Sequence, residues 1–127
     1  DNGVLILGDS GSGKSDLALR LIDNGATLIS DDISICRKNS NNIYLYCPPE
    51  IKGLLEVREI GIITVPFVER IKLRLVVNLK SNNNERFPKN SSLRILGINI
   101  PIINIEGKNS SAVAKIKVKL NEIRETI

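Results

Sequence analysis

Eight consecutive residues near the start of the sequence, Gly8-Asp9-Ser10-Gly11-Ser12-Gly13-Lys14-Ser15, satisfy the pattern G-x-x-x-x-G-K-[ST] at every fixed position. These residue types suit one chemistry, the grip of a chain of phosphates. Glycines let backbone N–H groups wrap phosphate oxygens without Cβ clashes, and a helix N-terminus directly after them adds positive potential. Lys14 is predicted to reach the β- and γ-phosphates, and the Ser15 hydroxyl to ligate Mg²⁺. With Gly at about 7% of residues, a chance match in a chain of this size is roughly one in a few hundred. The loop predicts nucleotide binding and leaves open the fate of the terminal phosphate.

A second cluster, Asp31-Asp32, ends an apolar run. Residues 27–30 are predicted as a strand beside the one that precedes the phosphate loop, in a right-handed βαβ unit, which brings both carboxylates to the carboxyl edge of the sheet, where ligands bind. One of them can hold Mg²⁺ through water, and the other can accept a proton from an attacking hydroxyl. Asp-Asp is also a common solvated turn; its coupling to the phosphate loop favours the functional role. A third segment, Leu54-Leu55-Glu56-Val57-Arg58-Glu59-Ile60-Gly61-Ile62-Ile63, sets charges inside an apolar stretch. Burying Glu56 and Arg58 is costly unless they pair with each other or with a metal. A helix end whose charges face water fits the same residues.

Several elements must position these groups. Residues 4–7 are a short apolar run ahead of the loop, predicted as a buried strand. Residues 15–22 show helical spacing, Leu17 with Leu21 and Ala18 with Ile22, with Asp16 in the first turn and Asn24-Gly25 as the stop. Residues 33–37 and 43–47 flank a polar stretch, as in a hairpin, and Pro48-Pro49 pre-sets a short helix over 50–55. Residues 61–65 read as a strand stopped by Pro66. Leu73, Leu75, Val77 and Leu79 alternate with their neighbours, which predicts a strand buried more on one face than on the other. Residues 81–92 are polar, Asn-rich and contain Pro, a long loop of the kind that often carries function. Strands at 93–96 and 98–105 turn near Gly97. Val113, Ile116, Leu120, Ile123 and Ile127 then mark an amphipathic terminal helix, with Lys115, Lys117 and Lys119 outside the stripe. The expected architecture is one α/β domain over residues 1–127 with a mixed central sheet, because the β-rich middle argues against an all-parallel doubly wound sheet.

Composition narrows the function classes. At 42% hydrophobic and 25% charged, the 127 residues are those of a globular chain, and no apolar stretch is long enough to predict a membrane span. Aromatics at 3%, with no Trp, remove a stacking platform for single-stranded nucleic acid. A net charge of +4 suits an anionic ligand such as a nucleotide, but the Lys and Arg are scattered, which argues against a nucleic-acid partner. The sequence has no His, so His-based acid/base catalysis and His-ligated zinc are excluded within it. Cys36 and Cys47 lack a metal-ligand set and read as reduced thiols of a cytoplasmic protein. The N-K-x-D motif of GTPases is missing, and the sparse basic loops give little support to a phosphate-loop small-molecule kinase with an Arg-rich lid.

The 8–15 loop, Ser30-Asp31-Asp32, Pro48-Pro49 and the L-L-E-V-R-x-x-G-I-I segment over 54–63 occur together, in order and at similar spacing, in bacterial HPr kinase/phosphorylase, and the chain resembles that family. The likeness covers nearly the whole chain and corresponds to the family's C-terminal catalytic domain, most like the short form without the N-terminal domain. It implies a P-loop mixed-sheet fold related to the PEP carboxykinase-like fold, with ATP and Mg²⁺ as cofactors. The implied partner is an HPr-type phosphocarrier protein of the sugar or nitrogen phosphotransferase system, phosphorylated on serine. The implied reverse reaction passes the phosphoserine phosphate to inorganic phosphate, and the implied assembly is a homo-oligomer, a hexamer.

Carried over residue by residue, the resemblance makes Asp32 the proton acceptor, and the proton donor in reverse. It makes Lys14 the catalytic lysine, Ser15 and Glu56 the Mg²⁺ ligands, and Arg86 a late catalytic arginine. Residues 55–64 match the signature region, and 105–110 resemble the segment tied to dephosphorylation. Without the resemblance, Arg86 fits an exposed loop charge. Two features depart from the family. Its catalytic His belongs just upstream of the first strand, at a position that would precede Asp1, and Glu59 stands where the signature has Gly, a residue free to adopt φ > 0. Both departures favour the alternative of a nucleotide-binding sensor or assembly module without turnover.

Overall fold

The computed structural model describes residues 2–9, 11–80 and 86–125. Along the chain run β1 (Gly3–Leu7), α1 (Lys14–Asp23), β2 (Ile35–Asn39), β3 (Asn42–Tyr46) and a 3-10 turn (Pro49–Ile51). There follow β4 (Leu54–Val57), β5 (Gly61–Thr64), β6 (Arg70–Leu79), β7 (Ser92–Ile95), β8 (Ile98–Ile105) and α2 (Ala112–Glu125). Among the described residues, β2-β3-β6-β8-β7 form a mixed sheet in that order, with β1 also paired to β6, and β4-β5 form a separate hairpin. β1, β6 and β8 are mutually parallel, while β2, β3 and β7 run antiparallel to their neighbours. No helix among the described residues is long and apolar enough to cross a membrane.

Each face of the sheet buries its own cluster. On one face α1 and α2 cover it, with Leu17, Ala112 and Ile116 packed on Leu75, Val77, Leu79 and Ile105. On the other, Ile43, Leu45, Leu73, Val76, Ile100 and Ile102 meet. The expected helix stop is present: Asn24 N–H donates to the Arg20 and Leu21 carbonyls, and its Nδ2 donates to Arg20 O at 2.9 Å. The predicted turn at Gly97 is a two-residue connection between paired Ile95 and Ile98, with Leu96 and Gly97 both at positive φ, the twist that suits a hairpin.

Three sequence expectations are corrected. Residues 27–30 do not form a strand beside β1; Leu28 alone pairs, in parallel, with Phe67, and its carbonyl accepts Val68 N–H at 3.0 Å. The parallel place beside β1 belongs to β6, whose apolar run is longer and buried on both faces, so it removes more surface from water there. The helix expected over 50–55 is only the 3-10 turn, because Gly53, at φ 71°, turns the chain against the Phe67 ring and into β4. In β6 the alternation fails. Gly3 pairs with Leu73 but Val4 with Leu75, so Arg74 is an extra, bulged residue. A bulge shifts the side-chain parity, and Leu73 therefore joins one cluster while Leu75 joins the other.

Candidate active site

Because β1, β6 and β8 run in one direction, Gly8, Lys80 and Glu106 leave the sheet at the same edge, the carboxyl edge where open α/β sheets take ligands. Lys80 N–H donates to Ile105 O at 2.9 Å. A Cβ on Gly8 would collide with the Ser12 side chain and lie 3.2 Å from Leu79 Cβ, and one on Gly107 would lie 3.3 Å from Ser12 O. The loop thus rests directly on the exits of the other two strands.

Within the loop, Ser12 N–H donates to Asp9 O at 3.0 Å, and Gly11 and Gly13 sit at φ 81° and 97° with open space where a Cβ would point. The first helical bond is Leu17 N–H to Gly13 O at 3.0 Å, and no side chain among the described residues caps the helix start. The first-turn amides and the positive end of the helix dipole are therefore free to meet an anion. Lys14 Nζ donates to Gly8 O at 2.9 Å, which arches its ammonium across the loop, and Ser15 is exposed on the first turn. This cradle fits a phosphate chain. Of the predicted phosphate-binding set Gly8, Asp9, Ser10, Gly11, Ser12, Gly13, Lys14 and Ser15, Ser10 lies outside the described residues.

The Asp pair and the loop line one cavity without the expected strand. A cavity of about 840 Å³ is lined by Gly8, Lys14 and Ser15 on one side and by Ser30, Asp31 and Asp32 on another. A tight turn shapes the acidic side: the Ser30 hydroxyl donates to Ile33 O, and Ile33 N–H donates to Asp31 O at 2.7 Å. Asp32 is exposed at φ 65°, with no hydrogen bond or ion pair among the described residues. Asp31 does a different job. Its Oδ2 accepts the Glu56 backbone N–H at 2.9 Å and fastens the β4–β5 hairpin to the cavity wall.

Glu56 and Arg58 are both exposed, so the expected penalty for burying them does not arise, although they lie on a strand and a turn rather than at a helix end. Glu56 does not line the cavity; it is joined to it through Asp31. Among the described residues no three His, Cys, Asp or Glu side chains gather into a metal cage. Mg²⁺ beside a nucleotide does not need one, being held by one or two protein groups, waters and the phosphates, and the exposed Ser15 hydroxyl on the cavity lining fits that use. Cys36 lines the same cavity, and burial pushes its thiol pKa up, which disfavours the nucleophilic thiolate.

Arg86 is exposed and lies outside the cavity lining. Its neighbour is held, since Phe87 N–H donates to Asn104 Oδ1 at 3.1 Å and Asn104 Nδ2 donates to Phe87 O at 2.6 Å. Residues 81–85 of the expected long loop lie outside the described residues. Residues 106–109 do meet the phosphate-loop helix: Arg20 donates to the carbonyls of Gly107 and, at 3.2 Å, Asn109, while its Nε pairs with Asp16 at 3.1 Å. The sequence reasoning passed over Asn78 and Asn104; the available signal was an amide inside each apolar strand run, Val76-Val77-Asn78-Leu79 and Ile102-Ile103-Asn104-Ile105.

Glu59 occupies the backbone that its glycine-like position demands. Ile60 N–H donates to Val57 O at 3.0 Å, and Glu59, third in that turn, has φ 72°, the position of a type II turn that favours Gly. A left-handed non-Gly residue costs ~1–2 kcal/mol, and Gly gives back ~0.5–1 kcal/mol through its freer unfolded chain. Glu59→Gly is therefore expected to raise stability by ~0.5–1 kcal/mol in urea unfolding; a loss of stability would contradict the turn.

The mixed sheet and the loop between β1 and α1 define a phosphate-loop α/β domain. The family profile described as HPr Serine kinase C-terminal domain matches residues 1–125, and the chain belongs to that family. It is 35% identical over 137 aligned positions to the HPr kinase/phosphorylase of Ralstonia pickettii, and 36% over 137 to that of Cupriavidus metallidurans. Each match covers 96% of this chain and 42% of the relative, so the chain spans about two fifths of these curated proteins. The solved structure of the Hpr(Ser) kinase/phosphatase from Coxiella burnetii superposes with a TM-score of 0.83 at 29% identity, covering 98% of this chain and 89% of that one.

Proposed function

We propose that this chain is the catalytic domain of an ATP- and Mg²⁺-dependent kinase that phosphorylates a serine of an HPr-type phosphocarrier protein, and that also runs the reverse transfer to inorganic phosphate. The observation that carries this is the shared cavity, lined both by the phosphate loop and by Asp32, whose carboxylate has no partner among the described residues, although 16 positions separate Lys14 from Asp31-Asp32 in the sequence. The names of the curated relatives support the choice of protein substrate.

In the forward direction the loop amides and Lys14 hold the β- and γ-phosphates, and Asp32 takes the proton of the serine hydroxyl as its oxygen attacks the γ-phosphorus and the bond to the leaving ADP breaks. Ser15 and Glu56 would hold Mg²⁺, which would neutralise charge on the phosphates when bound. Asp31 keeps the β4–β5 hairpin, and with it Glu56, beside the cavity wall. Arg86 adds a cation for the charge that develops on the transferred group. In reverse, Asp32 returns its proton to the seryl oxygen as inorganic phosphate takes the phosphoryl group, giving pyrophosphate and free serine.

Incubation with Mg²⁺, γ-labelled ATP and a phosphocarrier protein, followed by mapping of the label, tests this. Label on a carrier serine is the expected outcome. Nucleotide binding without transfer to any carrier rejects the kinase and identifies a nucleotide-sensing module instead.

A further inference from the structure

Two amides stand in the central sheet where their neighbours are Val, Leu and Ile. Asn78 on β6 is only 5% exposed. Asn104 on β8 lies opposite it in register, and Leu7, the last residue of β1, lies opposite it on the other side. The row Leu7-Asn78-Asn104 thus crosses all three parallel strands at their carboxyl ends, one residue before the phosphate loop begins. Amides at such a place are unfavourable unless their polar atoms are hydrogen-bonded. Here the bonds lead outward from the sheet. Asn78 Nδ2 donates to Asn104 Oδ1 at 3.0 Å, the same oxygen accepts Phe87 N–H at 3.1 Å, and Asn104 Nδ2 donates to Phe87 O at 2.6 Å.

Asn104 therefore grips both backbone polar groups of Phe87, and the bond from Asn78 fixes which way round its amide stands. The Phe87 ring packs into the cluster on the same face. An apolar pair would fill the sheet at lower desolvation cost but would leave the Phe87 backbone unheld. Arg86 is one peptide unit from this clamp, so its Cα is confined to within about 3.8 Å of a fixed point.

We propose that Asn104 is a positioning residue: by clamping the Phe87 backbone to the end of the sheet, it fixes where Arg86 stands along the carboxyl edge from which the phosphate loop also leaves. The role of Arg86 rests on the kinase function proposed above; the clamp does not. The test compares Asn104→Ala, Asn104→Thr, Arg86→Ala and the Asn104→Thr/Arg86→Ala double variant. Thr is the safeguard against misfolding, since it suits a strand and cannot make both Phe87 bonds.

In the carrier assay, either Asn104 variant is expected to lower kcat on the order of ten- to a hundredfold, with KM for ATP changed less than about twofold. The double variant is expected to be no slower than Arg86→Ala alone, because the two residues act as one unit. Losses that multiply, or a folded Asn104→Thr enzyme with full kcat, overturn the proposal. Amide hydrogen exchange at Phe87, read on the same proteins without substrate, is expected to accelerate about tenfold or more in Asn104→Thr; unchanged exchange also overturns it. A wild-type protein that transfers no phosphate defeats the kinase assignment, and Phe87 exchange then decides the clamp by itself.

Discussion

Lys14→Ala is expected to remove phosphoryl transfer on the order of a thousandfold or more, since a charge aimed at the transferred group is worth at least as much as one oxyanion-type donor. The ammonium has two roles in the geometry. It braces the loop through its bond to Gly8 O, and it is a cation beside a helix start without a side-chain cap among the described residues. Alanine removes both roles while favouring the helix at this position, so the loss is not one of folding. Nucleotide titration by calorimetry is expected to show weakened or undetectable ATP binding, and thermal unfolding a midpoint within a few degrees of wild type. Turnover within tenfold of wild type would reject the phosphate grip assigned to this loop.

Asp32→Asn separates binding from chemistry. Asn tolerates the left-handed backbone at φ 65° and keeps the size of the side chain, so neither the turn nor the cavity wall is disturbed. What disappears is the ability to accept the serine proton, a contribution on the order of 10²–10⁴ in rate. ATP affinity is expected to stay within about threefold of wild type, since the loop supplies most of the phosphate contacts. Asp31→Asn is the control: its remaining carbonyl oxygen can still accept the Glu56 N–H, so the hairpin stays fastened. Should Asp32→Asn transfer phosphate at the wild-type rate, the proton acceptor has been misassigned. Should Asp31→Asn be the silent enzyme instead, the two carboxylates exchange roles.

The route expected to bring the Asp pair to the loop is not the one the fold takes. A βαβ unit with residues 27–30 beside β1 would have carried Asp31-Asp32 to the loop. The segment instead lines the same cavity as β1 without pairing to it, held through Leu28 to Phe67 and Val68, and through Asp31 to Glu56. A four-residue apolar run carries a signal for burial but none for its partner, and it was outcompeted for the place beside β1 by the longer run in β6. Glu59, standing where the signature has Gly, left the local backbone open, and the structure sets it in a left-handed turn at φ 72°.

The linear order of residues determined whatever depends on contiguous backbone. The phosphate loop, the uncapped helix after it, its stop at Asn24, the β2–β3 hairpin and the Gly97 turn are short-range geometries, set by glycine freedom, helical spacing and turn chemistry within a few residues. Tertiary structure alone decided which strands distant in sequence became neighbours. The bulge at Arg74 reversed the faces of β6, Asp31 reached the backbone of Glu56, and Asn78 and Asn104 met across two strands to clamp Phe87. Those outcomes turn on burial and hydrogen-bond satisfaction shared among distant segments, so no local window contains the energies that select them.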